Sequence, residues 1–88
     1  KFVRAYENVP ERAGGEFIEQ FESKDLVHQC LHVLSPIQKS VLMMRDYEGY
    51  SYDEIAEMAE LTLSQVKVYI FRARKKLRAE ITRVSQAV

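Results

Sequence analysis

Ser64, Gln65, Val68, Phe71, Arg72 and Lys75 recur at intervals of three and four residues, the spacing that places side chains on one face of a helix. Their chemistry suits the floor of a nucleic-acid groove. A hydroxyl, a carboxamide and a guanidinium hydrogen-bond base edges, and Val68 and Phe71 touch thymine methyl groups. Lys67, Arg74 and Arg78 fall on one flank of the same helix and Lys76 on the other, where cations suit phosphate oxygens. Each assignment has a plainer competitor. Phe71 could pack against a neighbouring helix or the linker, although burying it in the core needs a different helix phase. For Arg74 and Arg78, solvation or pairing with Glu80 competes evenly with phosphate contact.

The elements that must position these side chains are legible in their start signals. Thr62 with Gln65 forms a capping box, and the helix it opens buries Leu63, Val66, Ile70, Ala73 and Leu77. Its first backbone N–H groups offer a phosphate one more site, which adds Thr62 to the candidate DNA-binding residues. Running to about Arg83, this helix is roughly 31 Å long. Ser51 with Glu54 opens the preceding helix, with Tyr52, Ile55, Ala56 and Ala59 on one face. The link from Glu60 to Thr62 is short enough for a helix-turn-helix, whose second helix enters the major groove. Ala56 is small where the two helices should cross.

Further upstream, Ser35-Pro36-Ile37-Gln38 combines a serine cap, a proline at the first helical position and a third capping box. The helix it opens should bury Ile37, Val41 and Met44 and end near Gly49. From Ser23, Val27, Cys30, Leu31 and Leu34 mark another helix. Leu26, Val33, Leu42 and Met43 fall off these stripes; they either complete the core or form a groove for a protein partner. Pro10 and Gly14-Gly15 make residues 1–22 a linker, with short helical turns expected at 2–6 and 16–21. The expected fold is all-α: about four helices over residues 23–84, with 85–88 as a tail.

The net charge of zero conceals a segregation. Residues 61–88 carry seven bases against Glu80 alone, whereas residues 26–60 carry two bases and six acids. Such an arrangement gives one surface to a polyanion and leaves others for something else. Hydrophobic content of 47% with 30% charged residues fits a folded domain rather than a disordered one. The chain begins at Lys1 rather than Met, and is expected to be a piece of a longer protein. A single cysteine, Cys30, excludes an internal disulfide, and no apolar run suits a membrane span or signal peptide. The expected location is therefore the cytoplasm. His28 and His32 have a feasible zinc spacing, but no second ligand cluster accompanies them, so no metal or cofactor is expected. No phosphate-binding glycine loop, nucleophile motif or carboxylate pair stands out. Asp53, Glu54 and Glu57 suit a helix N-terminus. Nothing here points to an enzyme.

From Leu34 to Arg78 the chain resembles region 4 of the group IV (extracytoplasmic-function, ECF) sigma factors of RNA polymerase. The resemblance lies in the Leu34-x-Pro36-x-Gln38 opening and in Arg45-Asp46-x-Glu48-Gly49-x-Ser51-Tyr52-x-Glu54-Ile55-Ala56. Val66-Lys67 and Arg72-Ala73-Arg74-x-x-Leu77 complete it. It implies binding of double-stranded promoter DNA at the −35 element through the last helix. It also implies docking on the β flap of the polymerase core through the first helices, and an anti-sigma factor as a further partner. By position, Lys67, Phe71 and Arg72 lead the implied DNA contacts, and Arg45 reaches a phosphate from the second helix. Lys75 and Lys76 extend the basic tract, and the isolated domain is expected to be monomeric. One departure is Glu60, where helix-turn-helix units usually carry glycine; at positive φ a non-glycine residue there costs roughly 1 kcal/mol.

Two rivals share parts of this pattern. A LuxR-type DNA-binding domain has the short helix, turn and long helix but not the Arg-Asp-x-Glu-Gly-x-Ser-Tyr segment or the Arg-Ala-Arg tail. A sigma-like decoy that sequesters an anti-sigma factor should have lost the basic residues of its recognition helix, which this chain keeps.

Overall fold

Three hydroxyl side chains set three helix starts. In a computed structural model of the chain, which describes residues 16–86, Ser35 Oγ accepts from the Gln38 N–H at 3.2 Å while Gln38 Oε1 accepts from the Ser35 N–H at 3.0 Å. Ser51 and Glu54 repeat this exchange at 3.1 and 2.8 Å, as do Thr62 and Gln65 at 3.1 and 2.9 Å. Each box satisfies N–H groups that a helix start leaves without intrahelical acceptors. The helices that follow are α3 (Pro36–Asp46), α4 (Tyr52–Ala59) and α5 (Leu63–Gln86). Before them come α1 (Glu16–Glu19) and α2 (Lys24–Cys30), the latter continued by a 3₁₀ turn at Leu31–Val33. Among the described residues the fold is all-α, as expected.

Terminators are equally local. Gly49 adopts φ 81° just beyond α3, where the Tyr47 and Glu48 N–H groups both reach Met43 O at 3.0 Å. At the end of α4, Glu60 occupies the left-handed region with φ 58° and ψ 46°. The Leu61 N–H then reaches back to Ala56 O at 2.9 Å, the six-to-one bond of a Schellman turn.

The long helix α5 is the spine, and two apolar clusters sit along it. Val66 and Ile70 join Val41 and Ile55, with Ile37, Met44, Tyr52, Ala56, Leu61 and Tyr69 around them. This cluster holds α3, α4 and the first half of α5 together as one unit. Ala73, Leu77 and Ile81 join Leu42, Val27, Cys30, Leu31 and Leu34, closed from outside by Phe17 and Ile18.

Several expectations change here. Of the two roles open to them, core completion is the one the packing shows: Leu42 is fully buried and Leu26, Val33 and Met43 are half-buried against the same cluster. The reason is that α3 lies between both clusters, with Val41 facing one and Leu42 the other. Residues 16–22, read as linker with a helical turn at 16–21, form α1 at Glu16–Glu19 and contribute the buried Phe17 and Ile18. The helical turn expected at 2–6 lies outside the described residues. The helix expected from Ser23 to Leu34 tightens to 3₁₀ geometry after Cys30, and α5 extends to Gln86 rather than stopping near Arg83.

Candidate nucleic-acid interface

With Val66, Ile70, Ala73, Leu77 and Ile81 buried along α5, the opposite face is fixed by helical geometry. Ser64, Gln65, Val68, Phe71, Arg72, Lys75 and Lys76 are all exposed, and Lys67 is half-buried on the flank. Phe71 is 66% exposed and Val68 42%, and neither joins the two core clusters. Arg78 is also exposed on this helix. Thr62 stands at its start, where its hydroxyl and backbone serve the capping box.

The face has relief as well as charge. Ser64, Gln65, Val68, Tyr69 and Arg72 line a shallow concavity of about 230 Å³. Tyr69 was not among the sequence candidates. Its spacing of four from Gln65 and three from Arg72 was the signal that could have found it. The turn that presents this face begins at Glu60, whose exposed side chain sets an acid near the cationic first half of α5.

Two expected phosphate contacts are engaged inside the fold instead. Arg45 is only 6% exposed. Its Nη1 donates to Tyr50 O at 2.8 Å, and its guanidinium lies over the Tyr52 ring at 4.9 Å. It thereby fastens the loop between α3 and α4. Arg74 does not pair with Glu80; its Nη2 and Nε donate to the Asp46 carboxylate at 2.7 and 3.1 Å. Burial alone would lower the Arg74 pKa, but the hydrogen bonds and charge of Asp46 outweigh it and leave the pKa raised. Glu80 is held by Arg83 at 2.7 and 3.1 Å. Both arginines are engaged for one reason: α3 is buried on more than one side, and of its charged residues Arg45 meets the Tyr50 carbonyl while Asp46 draws in Arg74 from α5.

Among the described residues, no group of three histidine, cysteine, aspartate or glutamate side chains is placed to hold a metal ion. His28 meets the Tyr47 ring edge-on at 6.4 Å, and His32 Nδ1 lies 2.8 Å from Gln29 O. No described helix is long and apolar enough to cross a membrane.

Comparison with known proteins bears on this geometry directly. Residues 24–77 match the family described as sigma-70, region 4, covering α2 through most of α5. The chain is 33% identical over 75 residues to the RNA polymerase sigma-E factor of Streptomyces coelicolor, across 85% of this chain and 42% of that protein. It is 31% identical over 68 residues to RNA polymerase sigma factor YlaC of Bacillus subtilis, across 77% of this chain and 39% of that one. With the ECF RNA polymerase sigma-E factor of Haemophilus influenzae it shares 33% over 60 residues, 68% of this chain and 32% of that one. No solved structure matches. The chain thus spans about two fifths or less of the length of these relatives. The matched segment contains the helix-turn-helix and its exposed face, and the chain belongs to the sigma-70 region 4 family.

Proposed function

We propose that this chain is the promoter-recognition domain of an ECF sigma factor, in which α5 enters the major groove of the −35 element. The observation that carries this reading is the exposed face of α5. It sets hydrogen-bonding and apolar side chains in one row and cations beside them, on a helix whose other side is locked into two clusters. Arg72, Gln65 and Ser64 address base edges, and Phe71 and Val68 address thymine methyls. Lys67, Lys75, Lys76 and the first turn at Thr62 address phosphates. Arg45 and Arg74 serve this surface by holding α3 against α4 and α5. The mechanism is recruitment: the domain lends the polymerase its sequence preference and makes or breaks no bond. Docking on the β flap, an anti-sigma partner and a monomeric isolated domain are further parts of this proposal, and the docking surface it calls for lies outside the buried Leu42 stripe.

The test is fluorescence anisotropy with pooled randomised duplexes at low salt, with selection of any enriched sequence and repetition with Arg72→Ala. A short enriched motif lost in the variant supports the reading. No enrichment, together with tight binding to a β-flap fragment, replaces it with a protein-docking role.

A further inference from the structure

Gln65 has two duties that compete for one amide. Its oxygen accepts the Thr62 N–H at 2.9 Å. An N–H donor can only meet an acceptor, so the amide orientation is fixed: Oε1 serves the cap and Nε2 carries both remaining hydrogens. A glutamine reads adenine through a two-bond contact that uses the oxygen and the nitrogen together. For Gln65 that contact would call on the second lone pair of an oxygen already closing the helix start. Nε2 is the amide atom that the cap leaves wholly to a ligand, so the side chain is foremost a donor.

That donor borders an apolar surface. Gln65 and Val68 stand three residues apart on α5 and line the same concavity, which Tyr69 also lines. A base edge complementary to this place has an acceptor next to an apolar group. Cytosine offers an amino donor there, adenine an N7 acceptor beside an amino donor, and guanine two acceptors, and none of the three carries a methyl. Thymine alone combines the O4 acceptor with a C5 methyl. We propose that the concavity between Gln65 and Val68 selects a thymine, with Gln65 Nε2 donating to O4 and Val68 covering the methyl. This assignment rests on the −35 reading above and names one base within it.

The experiment uses the duplex enriched from the randomised pool. Each thymine in turn is replaced by deoxyuridine, which lacks the methyl, or its pair by 5-methylcytosine–guanine, which keeps the methyl and exchanges the acceptor for a donor. One thymine should lose about fourfold in affinity as deoxyuridine, the weight of one buried methyl. That loss should vanish in Val68→Ala. The 5-methylcytosine duplex should bind about tenfold more weakly to the unmodified chain, and Gln65→Glu should narrow the gap, because a carboxylate accepts from the cytosine amino group. Glutamate retains the capping box, so an unchanged Tm in Gln65→Glu separates reading from capping. If no thymine responds to loss of its methyl, or the response persists in Val68→Ala, the thymine assignment fails while the −35 reading stands. If the pool yields no motif at all, both fall.

Discussion

Asp46 on α3 receives two hydrogen bonds from Arg74 on α5, at 2.7 and 3.1 Å, across 28 positions of sequence. The Asp46 side chain is 1% exposed and that of Arg74 29%. This forked, charge-assisted contact fixes the rotation of the recognition helix about its axis. Removing one member of a buried pair leaves the other charge uncompensated. Asp46→Asn should therefore destabilise the domain by about 2 kcal/mol, below the range for fully buried pairs because Arg74 keeps some solvent. Urea denaturation measures it; a loss near zero would mean that water replaces Asp46 without cost.

Glu60 bears the strain of the turn. Its left-handed backbone (φ 58°, ψ 46°) is where the absence of a Cβ matters. Glu60→Gly should leave stability unchanged or raise it by up to about 1 kcal/mol. A clear fall in Tm would show that the glutamate makes a compensating contact. The same substitution removes an acid from the edge of the cationic face, so binding to non-specific DNA should tighten modestly.

Phe17 shows what sequence could not reveal. Its ring lies under Arg78 at 5.0 Å and Arg74 at 5.6 Å, and meets Phe21 edge-on at 5.3 Å. At 7% exposure it closes the second cluster. Phe17→Ala should cost about 3 kcal/mol in denaturant unfolding. Removal of residues 1–22 should cost at least as much, whereas a true linker would be dispensable.

The contrast between Phe17 and the capping boxes explains how far the sequence could be read. Helix starts depend on residues three apart, and the stripe of α5 depends on a period within one element, so both are local. Phe17, Leu42, Arg45 and Asp46 acquire their roles from helices distant in sequence. A single period gave α3 one buried face through Val41, but two clusters bury it on two sides. Charge counting likewise placed Asp46 in an acidic surface block, where burial beside Arg74 gives it a structural task. The exposed face of α5 was legible because it is what the α5 stripe leaves over; Tyr69, half in each region, was not.

Cys30 should be inert in the native state. It is 2% exposed, and burial, with Glu80 adding to it and Arg83 opposing, pushes its thiol pKa up. A raised pKa means less thiolate at any given pH, and the thiolate is the nucleophile. Alkylation at mildly alkaline pH should be slow in the folded chain and rapid in strong denaturant. Fast native alkylation would mean that α2 and α5 separate readily.

Arg72 and Lys76 lie on the same helix but should fail differently. Arg72 shares the concavity with Gln65 and Val68; on the proposed −35 reading it meets base edges, while Lys76, exposed on the flank, meets phosphates. Arg72→Ala should flatten preference at one or two base positions, with a loss of about 1–3 kcal/mol on the preferred site. Lys76→Ala should weaken every sequence alike and lower the salt slope by about one unit. With about four phosphates neutralised, affinity of the unmodified domain should fall roughly a hundredfold between 50 and 200 mM salt. Both variants titrated against matched and scrambled duplexes at several salt concentrations decide the matter. Equal behaviour of the two would place the groove against a different face of α5, and a flat salt response would remove phosphate contact from the account altogether.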